Sequence, residues 1–359
     1  MADADNGLGP WADADLAKTA RMDAGTGADD GLPMIVRFVS NIAKLIRRRI
    51  AQPNSKKDPN LPGIFLLQPV PPSLGPGAMT KRVPMLDNGL TPVAGRIWFV
   101  GAVPASGHYI DLEAPDDDAM FTLITDEFGQ GTIPAIIFDP RPPLPEARYY
   151  PNGLDDLNVY KSISITSTEV TLSQVVAAIE KVYESCLVTP GAQPKNGKLW
   201  HNTDNWWPSS KAESLIQLYI KAGLAGAFAT CTIRHEQPMP QGRLDLEIEE
   251  SDPLDPSKVT RHAIIELKVL RSFHESGKTF DATETKNLVK SGVTQVSSYS
   301  KGMPAKWLAL CCFDMRNADT GEACFKPVRK LAKDLKVHLK RWFLYAKSEY
   351  LRDALASSG

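Results

Sequence analysis

The sequence lacks several things that would have placed it at once. It has no apolar run long enough to cross a bilayer and no charged-then-apolar leader, so a membrane protein is not expected and the cytoplasm is the expected compartment. It has only five cysteines in 359 residues, and none stands in a C-x-x-C pair. Cys231, Cys311 and Cys312 sit in apolar strand patterns, so reduced, buried thiols are expected rather than disulfides or a zinc site. No internal repeat is evident. Asp116-Asp117-Asp118 lacks the spacing and glycine of a calcium loop and reads as a solvated loop.

Net charge is also nearly absent, at −1, but it is unevenly distributed. Residues 1–33, rich in Asp, Ala and Gly, read as a disordered acidic tail. From Lys326 to Lys347 the balance reverses, with Asp334 the lone acid among many cations. Within that stretch Lys333, Lys336, Lys340 and Arg341 are candidates for contact with a polyanion, against the plainer reading of a solvated helix face and edge strand.

The order of elements predicts an α/β chain in two parts. An α+β domain, expected to be regulatory or to recognise substrate, covers 34–188. It opens with a helix from Met34 to Ile50, whose terminal Arg47–Arg49 suit the helix dipole without a ligand. A long irregular connection is expected over 51–93. Strands follow at 96–102, 109–112, 120–125, 133–138 and 160–165, then a helix capped by Thr168 or Thr171. The Pro/Gly-rich stretch within 189–204 reads as a linker. The second domain, 205–359, reads helix (210–224), strand (228–236), strand (243–249), strand (263–270), helix (284–300) and strand (307–313). The first two strands are expected to form a hairpin, and the last to pair in parallel after its helical crossover. A further helix and strand are expected over 326–345.

The chemistry concentrates in Gly242-Arg-Leu-Asp245 and Ile265-Glu-Leu-Lys268. Strand side chains alternate, so Glu266 and Lys268 share a face, flanked there by Ile264 and Leu270. A charged pair among apolar neighbours on a strand buried on both sides is costly unless paired or metal-bound. In the preceding strand Leu244, Leu246 and Ile248 are expected to face one way, and Arg243, Asp245, Glu247 and Glu249 the other. If the two strands pair, Asp245 joins Glu266 and Lys268, an arrangement suited to a hard divalent cation and to phosphodiester hydrolysis. Glu247 is the understudy for Asp245; His235 and Glu236 are candidates for a supporting role.

This Asp…Glu-x-Lys pattern resembles the PD-(D/E)xK phosphodiesterase superfamily. The proline before the aspartate is missing, as in RecB-like members. Glu213 on the preceding helix and Gln295-Val-Ser-Ser-Tyr299 on the following one resemble further elements of that branch, the latter its Q-x-x-x-Y. The resemblance covers roughly 205–346; no family is recognised in the first half. It implies a restriction-endonuclease-like αβββαβ core with a mixed sheet. It also implies Mg²⁺, with Mn²⁺ able to substitute, held by Asp245, Glu266 and the Leu267 carbonyl. Lys268 would stand near the attacking water, Gln295 would hold the site, and Tyr299 would touch nucleic acid or pack behind.

Glu213 has a competing reading: Ser210-Lys-Ala-Glu213 is a capping box. Gln217, one turn on, could join a polar site. Trp200, Trp206 and Trp207 could stack on bases, though packing is the plainer use. The expected activity is a metal-dependent nuclease acting on DNA, by analogy an effector of prokaryotic anti-phage defence, with a partner protein or regulatory ligand for the N-terminal domain. The alternatives are an inactive nucleic-acid-binding or protein-interaction module, and a repair, recombination or RNA-cleaving nuclease.

Overall fold

A computed structural model describes residues 32–51, 61–72, 81–84, 92–104, 106–112, 116–165, 170–193, 198–239, 242–253, 255 and 257–357. The expected acidic tail lies almost wholly outside them.

The N-terminal half is built on a seven-stranded mixed sheet, ordered β2-β4-β3-β1-β5-β6-β7. Its strands are β1 (Gly63–Leu67), β2 (Lys81–Pro84), β3 (Arg96–Val100), β4 (Ser106–Asp111), β5 (Ala135–Asp139), β6 (Glu146–Tyr150) and β7 (Lys161–Ile163). Helix α1 (Met34–Ala51) covers one face, packing Phe38, Ile42 and Ile46 against Phe65, Trp98 and Phe138. The other face buries Ile64, Leu66, Ile97 and Phe99 with Met120 and Ile124.

Two expectations fail here. Residues 51–93 contain β1, at the centre of the sheet, and β2. The run Gly63-Ile-Phe-Leu-Leu67 is buried on both faces, so it has no alternation to announce it. Residues 120–125, expected as a strand, lie in helix α2 (Asp117–Thr122) and the π turn Leu123–Glu127. Asp116 decides this by accepting a 2.8 Å bond from the Ala119 amide, so the acidic triplet is a helix cap and not merely a solvated loop.

The C-terminal half has a five-stranded sheet ordered β10-β11-β12-β13-β14. Its elements are α4 (Ala212–Ala227), β10 (Thr232–Met239), β11 (Gly242–Ser251), β12 (Val259–Arg271), α5 (Ala282–Gly302), β13 (Trp307–Met315), α6 (Arg329–Asp334) and β14 (Val337–Phe343). A last helix, α7 (Ser348–Ser357), follows. Strands β10, β11 and β12 pair antiparallel, whereas β12, β13 and β14 run parallel. The expected hairpin and the expected parallel strand after α5 are both present.

One face of this sheet packs on α4 through Ile216, Ile220 and Leu224. The other packs on α5 through Val289, Val293, Val296 and Tyr299. Helix α3 (Leu172–Val182), with the capping box Thr171–Gln174, packs in the α4 core, not on the N-terminal sheet. Leu199 and Trp200, inside the expected linker, are buried there too, and 200–208 form a small hairpin, β8 (Trp200–Asn202) with β9 (Trp207–Pro208). By packing, the two halves divide between Ile165 and Val170.

Candidate functional site

The site forms where β11 and β12 part. Their ladder runs only as far as Leu246 opposite Ile265. On its other side β11 pairs Leu246 with His235 and Leu244 with Gln237, but the intervening Asp245 and Glu236 are not paired. Glu236 adopts φ 51°, a left-handed conformation uncommon for a side chain of its size, and pairs with Arg243 at 3.1 Å. The β10–β11 ladder is therefore interrupted at Glu236 and Asp245. The alternation expected of β11 breaks there: Leu244 falls in the α5 core, and Leu246 and Ile248 in the α4 core.

Parting leaves two amides of β12 without a strand partner, and carboxylates take both. Asp245 Oδ2 accepts from the Leu267 amide at 2.8 Å. Glu213 Oε2, reaching from the first turn of α4, accepts from the Val269 amide at 3.2 Å. The capping-box reading of Glu213 is thereby overturned. Helix α4 starts at Ala212 with Lys211 at the cap, so Glu213 stands one residue too early to reach back, and no side chain caps the helix.

Glu266 and Lys268 share the α5 face of β12, buried as their neighbours Ile264 and Leu270 are. Lys268 Nζ donates to Glu266 Oε1 at 2.6 Å. Glu266 Oε2 is buried and has no hydrogen-bond partner. Burial first, and then the neighbouring Asp245 charge, push the Glu266 carboxyl up to about 7 despite the lysine. Burial likewise raises Asp245, opposed by the Leu267 amide. For Lys268, burial works to lower the value, but the Glu266 carboxylate outweighs it and the ammonium is held above its ordinary range. Two buried carboxylates, a third close by and one protonated lysine thus face each other. Their oxygens suit a hard cation and their excess negative charge favours one.

Tyr299 is fully buried, and its hydroxyl donates to the Arg243 carbonyl at 2.8 Å. It braces the start of β11, and of the two roles expected of it, touching nucleic acid or packing behind the site, its burial leaves only the second. Gln295, one turn earlier, keeps a buried, unpartnered Oε1. Gln217 is buried on α4, one turn beyond Glu213. Glu247 forms an ion pair with Arg261 at 2.8 Å, and His235 meets Lys221 at 3.1 Å; both are engaged away from Asp245.

The four candidate cations of the last segment do not form one surface. Lys333 is exposed on α6 and Lys336 in the turn after it. Lys340 leans over Trp342, 5.9 Å from its ring. Arg341 pairs with the buried Asp314 at 2.7 Å and with Asp319. Consecutive strand residues point to opposite faces, so Lys340 and Arg341 cannot grip one backbone together. Trp200 and Trp206 pack edge to face, 5.7 Å apart, which is the plainer use expected of them. Asp314, bound by Arg316 and Arg341, gave no signal in the sequence, because its partners lie on separate elements.

Compared with protein-family models, with curated proteins and with solved structures, the chain matches none.

Proposed function

We propose that the C-terminal half is a metal-dependent nuclease of the PD-(D/E)xK kind, with the restriction-endonuclease-like arrangement of its core and DNA as its first substrate. The observation that carries this reading is the parting of β11 from β12. It brings Asp245, Glu213, Glu266 and Lys268 together and leaves Glu266 Oε2 buried and unpartnered. An all-oxygen donor set with an orphaned carboxylate oxygen fits Mg²⁺ or Mn²⁺. Asp245 and Glu266 would hold the ion, with the Leu267 carbonyl as a third ligand. When bound, the ion lowers the pKa of water and stabilises charge on the scissile phosphate.

The chain's own groups then divide the work. Lys268, kept protonated by Glu266, orients water and supports the developing phosphate charge; it is not the base. Glu213, anchored on the Val269 amide, lies close enough for its charge to bear on Asp245 and Glu266, and is placed to accept a proton from water. Gln295 and Tyr299 hold positions: the first lends a free amide oxygen, the second fixes β11.

The test is cleavage of supercoiled and linear DNA, single strands and RNA with Mg²⁺ or Mn²⁺. Asp245→Asn, Glu266→Gln and Lys268→Met should each lower the rate at least a hundredfold while remaining folded. Undiminished cleavage by all three sinks the proposal. The rival, an inactive binding module, draws on the Lys268–Glu266 pair, which already satisfies part of the site. That rival predicts no Mg²⁺-dependent rise in melting temperature.

A further inference from the structure

Cys231 and His262 stand 31 residues apart with Glu250 between them, a spacing that marks no metal motif, yet the fold brings the three together away from the β11–β12 fork. Cys231, in the turn before β10, Glu250, near the end of β11, and His262 of β12 are all buried, and their ligand atoms lie within 4.8 Å of one another. We propose that these three side chains form a binding site for a thiophilic divalent cation, zinc first.

The strand register builds it. Between Ile248 and Glu249 the β11–β12 ladder slips by one residue: Ile248 faces Ala263, but Glu249 faces Arg261. His262 is the extra residue. A regular ladder would set it opposite Glu249; the bulge instead lets its Nε2 meet Glu250 Oε2 at 3.1 Å. Neighbouring ligands on a tetrahedral zinc with bonds near 2.0–2.1 Å stand roughly 3.3 Å apart, so this edge is already close to the required length. Glu250 is held from its other oxygen, Oε1, by Arg47 and by the Thr230 hydroxyl at 3.4 Å. That leaves Oε2 as its ligand atom, oriented by partners behind it.

The Nδ1 atom of His262 is buried and has no hydrogen-bond partner, so it can carry the imidazole proton when Nε2 turns to an ion. Cys231 is a buried thiol beside a carboxylate. Binding zinc releases the thiol proton to solvent and moves the imidazole proton from Nε2, which now faces Glu250, to Nδ1; the cation's two charges are then matched by the thiolate and Glu250. Arg47 remains as a neighbour of the carboxylate. A sulfur ligand excludes Mg²⁺ here, just as the all-oxygen fork disfavours a thiophilic metal. Three protein ligands leave a fourth position for water. An ion held there would fasten the start of β10 to β11 and β12.

The whole chain, stripped with a chelator, should develop with Co²⁺ a thiolate-to-cobalt charge-transfer band whose amplitude corresponds to one cobalt per chain, and Zn²⁺ should abolish it. Zinc should raise the midpoint of thermal unfolding. Cys231→Ser and His262→Gln should lose the band, whereas Asp245→Asn and Glu266→Gln should keep it, so the outcome is independent of nuclease activity. Circular dichroism establishes that each variant is folded. The absence of a charge-transfer band in the parent protein, or its persistence in folded Cys231→Ser, overturns the proposal; the latter would place the metal on another cysteine.

Discussion

Glu266 must be charged to hold a cation, and its surroundings oppose the charge. Its folded value near 7 stands above the ordinary 4.5, so the free protein is favoured below pH 4.5 and loses that advantage as pH rises through about 7. The loss is on the order of 3 kcal/mol for a displacement of this size. Thermal unfolding followed from pH 4.5 to 8 should therefore show a decline that Glu266→Gln largely abolishes and that Mg²⁺ reverses above pH 7. A parent protein as pH-sensitive as the variant would mean that Glu266 is already ionised throughout. Glu213 offers a second measurement. Because it does not cap α4, Glu213→Gln should shift stability by less than about 1 kcal/mol, within the range of one replaced hydrogen bond. If its charge serves the chemistry, the cleavage rate should fall tenfold or more. Equal losses of stability and activity would return it to a structural role. The Glu-x-Lys pair was legible because alternation alone puts both residues on one face. For Glu213 the sequence left two readings open, since a one-residue difference in where α4 begins separates a cap from a residue that reaches β12.

Among the elements, α5 shows how packing behind the site constrains sequence. Gly292 interrupts its apolar periodicity, and the structure supplies the reason. A Cβ there would lie 2.7 Å from Leu310 Cδ1 and 3.4 Å from Lys268 Cγ. Gly292→Ala gains about 1 kcal/mol of helix propensity. Overpacking against a buried leucine costs about 1–3 kcal/mol, so the net change should be destabilising and the denaturant midpoint should fall. A rise in midpoint would show that Leu310 can turn aside. Most elements of the C-terminal half could be read from the sequence, because their alternation is strong and their turns are marked by Pro and Gly. Strand β1 could not, since a strand buried on both faces has no period. Helix α2 was mistaken because a short apolar run fits helix and strand alike, and only the Asp116 cap distinguishes them.

At the scale of the molecule, composition put the boundary in the wrong place. A Pro/Gly-rich stretch reads as a linker, but Leu199 and Trp200 beside it are core residues. A fragment beginning at 205 would lose Val175, Ile179, Val182, Leu187, Leu199 and Trp200 from that core. At about 1.5–3 kcal/mol for each buried side chain, the six contribute roughly 9–18 kcal/mol. That is comparable with the whole stability of a domain, about 5–15 kcal/mol. Such a fragment should not unfold cooperatively, whereas one beginning at Val170 should do so. Cooperative melting of the shorter piece would move the boundary back.

The α1 helix ties the halves together. Ser40 donates to the Ala229 carbonyl at 2.9 Å, Lys44 to Thr232 at 3.0 Å, and Arg47 pairs with Glu250. Arg47 and Glu250 are 203 residues apart in the chain. At a synthesis rate of about 5–20 residues per second, the arginine waits roughly 10–40 s on the ribosome before its glutamate is made. The opposite side of α1 packs on the N-terminal sheet, so the Ser40–Arg47 face stays an open seat on the nascent protein until the second half is made.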